Sequence, residues 1–179
     1  GSEMCIRDSN NAGGAVEREF FANGLNETDP ISAVRKTLAD TNVRKGQIPE
    51  GQAFACYALK FWYESGTDVK SEAERVNQRD WIHGVSVEFL IESKNNYGTW
   101  KLSELLGAVD DMQVTAGANG QAMDASQGEY CGIKRLNLYI PLPRLTSYNV
   151  RINQSVAPNA ALDADYICCG LVGILNRAG

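Results

Sequence analysis

Beyond residue 50 the hydrophobic and polar positions of the chain alternate mostly with period two, the spacing of strands. Val85, Val87, Phe89 and Ile91 alternate with Ser86 and Glu88, and the run ends at Asn95–Asn96, which reads as a turn. Tyr148, Val150 and Ile152 alternate with Asn149, Arg151 and Asn153, and Leu136, Leu138, Ile140 and Leu142 alternate with Asn137 and Tyr139. Successive strand side chains point to opposite faces, so each pattern predicts one face on a core and one toward water. Pro141 and Pro143 assign the Leu136–Leu142 run to a sheet edge or a strand end, because proline cannot donate to a ladder. Residues 53–63 (AFACYALKFWY) and 166–175 (YICCGLVGIL) are apolar without alternation, as in strands covered on both faces. The second run is predicted to lie inside a sheet, paired on both sides. Gly170 and Gly173 would mark places where a larger side chain collides with the facing sheet.

A helical period is rarer. Asp29 as a cap, Pro30 at the first helical position and Ile31, Val34 and Leu38 on one face predict a helix that stops at Asp40, Thr41 and Asn42. A short helix is predicted over residues 102–106, and residues 117–128 read as a loop. Five strands, a short N-terminal helix and long connections predict an all-β fold: an antiparallel jelly-roll or Greek-key sandwich. A parallel α/β sheet is disfavoured, since helices do not alternate with strands. The organisation expected is a flexible segment over 1–16, an N-terminal arm with the helix over 17–45, and a β-sandwich domain over 46–179.

Charge narrows the function classes. Of 179 residues, 17 are basic and 22 acidic, for a net charge of −5. Such a chain, with no run of Lys or Arg, carries no strong signal for nucleic-acid binding, which rests on phosphate neutralisation. The longest uncharged apolar run, residues 166–175, has about half the length of a membrane helix, so no transmembrane segment is expected.

The candidate chemistry is sparse. His83, the single histidine, sits in Asp80-Trp81-Ile82-His83-Gly84. It is either a base or ligand paired with Asp80 or an ordinary turn histidine, and no second histidine exists to complete a metal or triad set. Cys56, Cys131, Cys168 and Cys169 show no C-x-x-C spacing and lie in or beside strand runs, where thiols pack as small buried hydrophobes. Asp110, Asp111, Asp124 and Glu129 surround a Gly/Asn/Gln-rich loop without EF-hand spacing, and they read as a solvated loop. Trp62, Tyr63, Trp81, Tyr97 and Trp100 offer either a sugar-stacking surface or sheet packing. No nucleophile elbow, kinase set or Walker motif is present, so the expectation is a non-enzyme without catalytic residues, cofactor or metal.

Two resemblances add to this reading. Residues 1–9, GSEMCIRDS, resemble the in-frame translation of a sequencing-library adapter, which implies environmental DNA as the source and a segment that adds nothing to fold stability. The second is carried by Asp40-Thr41-Asn42-Val43 with Gly46-Gln47-Ile48-Pro49, by Leu138-Tyr139-Ile140-Pro141-Leu142, by Tyr148-Asn149-Val150-Arg151-Ile152, and by Gly170-Leu171-Val172-Gly173-Ile174-Leu175-Asn176-Arg177. Together these segments resemble virion structural proteins that recur in environmental phage sequences, with a jelly-roll capsid fold. The resemblance implies a self-assembling bacteriophage capsid subunit located in the virion, with copies of itself and other virion proteins as partners. Phe20, Phe21, Ile31, Val34 and Leu38 are the expected subunit interface, since two adjacent Phe in a terminal arm are hard to bury within one small sandwich. The alternative is a carbohydrate- or receptor-binding β-sandwich module that uses aromatics around Trp81 and Trp100.

Overall fold

The computed structural model describes residues 2–9, 17–28, 35–43, 46–64, 72–92, 95–106, 131–154 and 166–177. Among the described residues, eight strands and two helices follow in the order β1 (Ser2–Ser9), β2 (Glu17–Glu19), β3 (Gln52–Glu64), α1 (Glu72–Gly84), β4 (Val85–Ile91), β5 (Asn95–Lys101), α2 (Leu102–Leu105), β6 (Cys131–Leu142), β7 (Tyr148–Gln154) and β8 (Tyr166–Arg177). The strands form two four-stranded sheets, ordered β1-β8-β3-β6 and β2-β7-β4-β5, and every ladder is antiparallel. The fold is all-β, as the sequence pattern predicts.

The core lies between the sheets and follows the alternation. Val85, Val87, Phe89 and Ile91 of β4 point inward with Tyr148, Val150 and Ile152 of β7, while Ser86, Glu88, Asn149, Arg151 and Asn153 are half-buried on the outer face. From the other sheet come Phe54, Cys56, Leu59, Phe61 and Tyr63 of β3 and Ile167, Cys169 and Leu171 of β8.

The unbroken apolar run of β3 has a specific cause. Its register shifts between Cys56 and Ala58 against both neighbours, so Tyr57 is an extra residue in the ladder. Such a bulge moves the inward phase by one position. Even-numbered residues face the core before it and odd-numbered residues after it. Against β6 the mismatch is larger, because the pairing jumps from Ile140 to Arg135 opposite those two β3 residues. Leu136 to Tyr139 therefore lie outside the regular ladder, and Leu138, expected on the buried face, is 78% exposed. β6 is an edge strand, in agreement with its prolines.

Three expectations for the N-terminal part are corrected. Residues 2–9 do not stand apart from the fold: β1 pairs along its whole length with β8, and Ile6 is 1% exposed in the core. β8 is paired on both sides only because β1 is there. Nor does the boundary at residue 46 divide an arm from a sandwich, since β2 pairs with β7, and Phe20, Phe21 and Val43 join the same core as β3 and β8. Finally, the second half of the expected helix is not helical. Arg35 bridges Thr28, and residues 37–40 form a turn in which the Asp40 carboxylate accepts hydrogen bonds from the Thr37 N–H and hydroxyl, both 2.8 Å. A short polar side chain that captures a nearby N–H competes with the helical ladder. Asp29, Pro30, Ile31 and Val34 lie outside the described residues.

The two described helices cover one end of the sandwich. α2 matches the short helix expected at 102–106, with Leu102, Leu105 and Leu106 buried. α1 is not evident in the hydrophobic pattern, because its sequence EAERVNQRDWIHG is mostly polar. Gln78, Trp81, Ile82 and the adjoining Val85 are its buried stripe, at helical i, i+3, i+4 and i+7 spacing with a polar residue in the first place. No helix among the described residues is long and apolar enough to cross a membrane.

Candidate functional site

The outer faces of the two sheets differ in chemistry. On the β2-β7-β4-β5 sheet, the register places Arg151 opposite both Glu19 and Glu88. The Arg151 guanidinium lies 2.8 Å from Glu19 and 2.8 Å from Glu17. Its hydrogen bond to Glu19, supported by the charges of Glu17 and Glu88, raises its already high pKa further. Glu88 accepts hydrogen bonds from Asn153 (3.0 Å) and Asn96 (3.3 Å), and Asn96 also bonds Thr99 (3.0 Å). This face is a charged and amide-rich ladder in which Arg151, Glu19, Glu88, Asn96 and Asn153 bond one another, while the buried Arg151 Nε has no hydrogen-bond partner and meets Glu17 as an ion pair alone.

The outer face of the β1-β8-β3-β6 sheet is apolar over much of its width. Ile174 of β8, Ala55 of β3 and Pro141 of β6 are register partners in one row across three strands. Beside them the rings of Tyr57 and Tyr139 meet edge to face, with centroids 5.8 Å apart. Ile174 is 54% exposed and Tyr139 62%, and toward the other end of β6 Ile133 is 61% exposed opposite Lys60. Lys60 in turn sits 5.3 Å over the Trp62 ring and 3.5 Å from Glu3. Single exposed apolar side chains are ordinary on a protein surface, whereas a row aligned across three strands is a candidate contact surface. The bulge creates part of it, because it turns Tyr57 outward and frees Leu136 to Tyr139 from the ladder.

Two of the residues expected at a subunit interface lie in the core instead. Phe20 and Phe21 are 1% and 2% exposed, and Phe20 packs edge to face on Phe61 while Phe21 meets Tyr148. The sandwich buries both after all, because Phe20 N–H donates to the Val150 carbonyl (2.9 Å) and Phe21 N–H to the Asn149 side chain (3.0 Å), which turns the arm inward. Leu38 is 77% exposed on its turn, and Ile31 and Val34 lie outside the described residues.

The candidate chemistry is likewise placed. His83 and Asp80 are exposed in the last turns of α1, and the Asp80 carboxylate lies 3.5 Å from Arg79. Trp81 is 6% exposed and donates its indole N–H to the Gln154 side chain (2.6 Å), while Trp100 packs over Gly98. The aromatic platform expected around these two is therefore turned into the protein. Cys56, Cys168 and Cys169 are buried. Burial pushes the Cys56 thiol up to about 12 and raises Cys169 well above the usual thiol range; burial, then the Glu3 charge, brings Cys5 to about 11. Such thiols stay protonated at neutral pH and are poor nucleophiles. Asp110, Asp111, Asp124, Glu129 and the 117–128 loop lie outside the described residues. A shallow cleft of about 370 Å³ opens between the start of β3 and the ends of β6 and β8, lined by Gly51, Gln52, Ala53, Pro143, Arg144 and Asn176.

No family model, curated protein or solved structure matches this chain.

Proposed function

We propose that this protein is a bacteriophage virion structural protein, a capsid subunit with a jelly-roll fold that self-assembles into a shell. Strand order supports the jelly roll: β1 pairs with β8, β2 with β7, β3 with β6 and β4 with β5. A single antiparallel ribbon rolled into two facing sheets produces these pairs. A fold of this kind serves many functions, so the assembly reading rests on a surface. The observation that carries it is the contrast between the two outer faces, one a charged and amide-rich ladder and the other the apolar row of Ile174, Ala55 and Pro141 with Tyr57, Tyr139 and Ile133. Burying that row against neighbouring copies removes apolar area from water, at roughly 25 cal/mol per Å².

Light scattering and negative-stain microscopy of the expressed protein test the reading. Wild type should form multimers or particles, and a Tyr139→Glu, Ile174→Glu double variant should remain folded and fail to assemble. Wild-type protein that stays monomeric at every concentration would overturn the proposal, and a monomer that binds glycans would favour the carbohydrate-binding alternative.

A further inference from the structure

The cleft at the end of the sandwich collects polar side chains that the chain itself does not use. Ala53 and Pro143 give it an apolar part, while Gln52, Asn176 and Arg144 bring two amides and a guanidinium. Arg177, the register partner of Gln52, places a second guanidinium beside them. Among the described residues, the side chains of Gln52, Arg144, Asn176 and Arg177 make no hydrogen bond or ion pair. No carboxylate lines the cleft, and Glu50 sits in the turn next to it. The amides and the guanidinium of the opposite outer face differ in this respect, since Asn96, Asn153 and Arg151 are engaged with Glu88 and Glu19.

The rim of the cleft is fixed by two turns of the same kind. Residues 49–52 close with the Gln52 N–H on the Pro49 carbonyl (3.2 Å), with Gly51 at φ +79°. Residues 143–146 close with the Thr146 N–H on the Pro143 carbonyl (3.2 Å), with Leu145 at φ +63°. Glycine takes this conformation freely, whereas leucine takes it against a steric penalty and only where the surroundings impose it. The 47–48 segment does so here. Leu145 N–H donates to the Ile48 carbonyl (2.9 Å), Gln47 Nε2 to the Leu145 carbonyl (2.8 Å) and Ile48 N–H to the Thr146 carbonyl (3.0 Å). The backbone that carries Arg144 is thereby held in place, and a donor held in place loses less freedom when a ligand arrives.

We infer that this cleft is a binding site for a carboxylate-bearing sugar. A planar guanidinium matches a carboxylate through two parallel N–H bonds, which assigns Arg144 to the acid group. Side-chain amides carry donors and an acceptor together, so Gln52 and Asn176 suit neighbouring ring hydroxyls. Ala53 and Pro143 offer apolar contact to the C–H face of the ring, and Arg177 adds to the positive potential that draws an anion in. The volume of about 370 Å³ lies at the small end of the roughly 300–1,000 Å³ range of small-molecule sites, the scale of a single sugar unit. The inference does not rest on assembly of copies: a monomer that binds the acidic sugar keeps the site and loses the shell, and particles that fail to bind it do the reverse.

Saturation-transfer-difference NMR on the full chain tests this, since it reads ligand binding to monomers and large particles alike. The probes are methyl glucuronide, methyl galacturonide and the methyl glycoside of N-acetylneuraminic acid, with methyl glucoside as the neutral control. At least one acidic sugar should bind saturably and about tenfold or more tighter than methyl glucoside, the preference expected from a charge-assisted pair. Arg144→Gln should remove that preference, and Arg144→Lys should restore only part of it, because an ammonium lacks the fork. Asn176→Leu should weaken acidic and neutral sugars by a similar factor. Arg144 and Asn176 are exposed, so each variant should keep the thermal midpoint of wild type.

Absence of saturable binding by all three acidic sugars would overturn the site, and so would an acidic preference that survives Arg144→Gln. Competition by sodium acetate and by inorganic phosphate separates the parts of the assignment. Acetate that displaces the sugar at equal concentration would overturn the role given to Gln52, Asn176 and Pro143, and phosphate that displaces it better than acetate would overturn the choice of a carboxylate.

Discussion

Gly173 and Gly170 lie three residues apart in β8 and face opposite sides of the sheet, so the same substitution at each should have opposite consequences. A Cβ on Gly173 would come within 2.4 Å of the Ala55 carbonyl oxygen and 2.4 Å of the Phe54 ring. Neither can retreat easily. The carbonyl belongs to the β3 backbone, and the ring is 2% exposed in the core. Phe54 lies over the glycine and occupies the volume a side chain would take. At Gly170, by contrast, the nearest atom is the Cys5 sulfur at 3.2 Å, followed by Trp62 at 3.6 Å, both side-chain atoms on the outer face.

Overpacking a tight site typically costs about 1–3 kcal/mol. Replacing glycine by alanine in a strand returns about 0.5–1 kcal/mol, through lost freedom of the unfolded chain. Gly173→Ala should therefore destabilise by about 1–2 kcal/mol net, and Gly173→Val by more, whereas Gly170→Ala should be neutral or slightly stabilising. Urea unfolding followed by tryptophan fluorescence measures this, with the midpoints compared at unchanged slope. If Gly173→Ala were as stable as wild type, or Gly170→Ala the worse of the two, the assignment of these faces would be wrong.

The remaining predictions address β1, the thiols and the core. Ile6→Ala should lower stability by about 2 kcal/mol or more, as for other buried Ile-to-Ala changes, and a thermal midpoint indistinguishable from wild type would remove β1 from the fold. Cys56 has its folded pKa raised from 9.0 to about 12, so the stability tied to this thiol is complete below pH 9 and is lost as pH rises toward 12. Near pH 10.5 the loss amounts to about 2 kcal/mol, and Cys56→Ala should flatten the decline of the urea midpoint between pH 9 and 10.5; an unchanged slope would contradict a buried thiol. Trp81→Phe removes the donor to Gln154 and should cost about 1–3 kcal/mol. A second Gln154→Leu change should then add less than it does in wild type, which a double-mutant cycle measures.

Alternation alone was enough to place β4 and β7, because each has one face on the core and one in water and neither changes phase. Val85 to Ile91 and Tyr148 to Ile152 could be oriented residue by residue. The apolar runs of β3 and β8 announced strands but not their faces. A bulge at Tyr57 exchanges inward and outward positions halfway along β3, and no local signal distinguishes that from a strand buried on both sides. The same bulge exposes Leu138 and Tyr139, so the candidate contact face was not legible either. α1 is not legible in the sequence because tertiary packing buries Gln78 where the pattern needs a hydrophobic residue.

What the sequence by itself determined, then, is the all-β class, the two alternating strands, the placing of the β6 prolines at a sheet edge or a strand end, and the burial of Cys56, Cys168 and Cys169. These depend on period, proline and composition, which act within a few residues. Only the tertiary structure decided where Ile6, Phe20 and Phe21 go. Each becomes a core residue through bonds to positions far along the chain: β8 and Asn42 hold the Ile6 strand, and Val150 and Asn149 turn the two phenylalanines inward. A short segment with one or two apolar residues has no period to read, and its place is set by the backbone partners that long-range folding brings beside it.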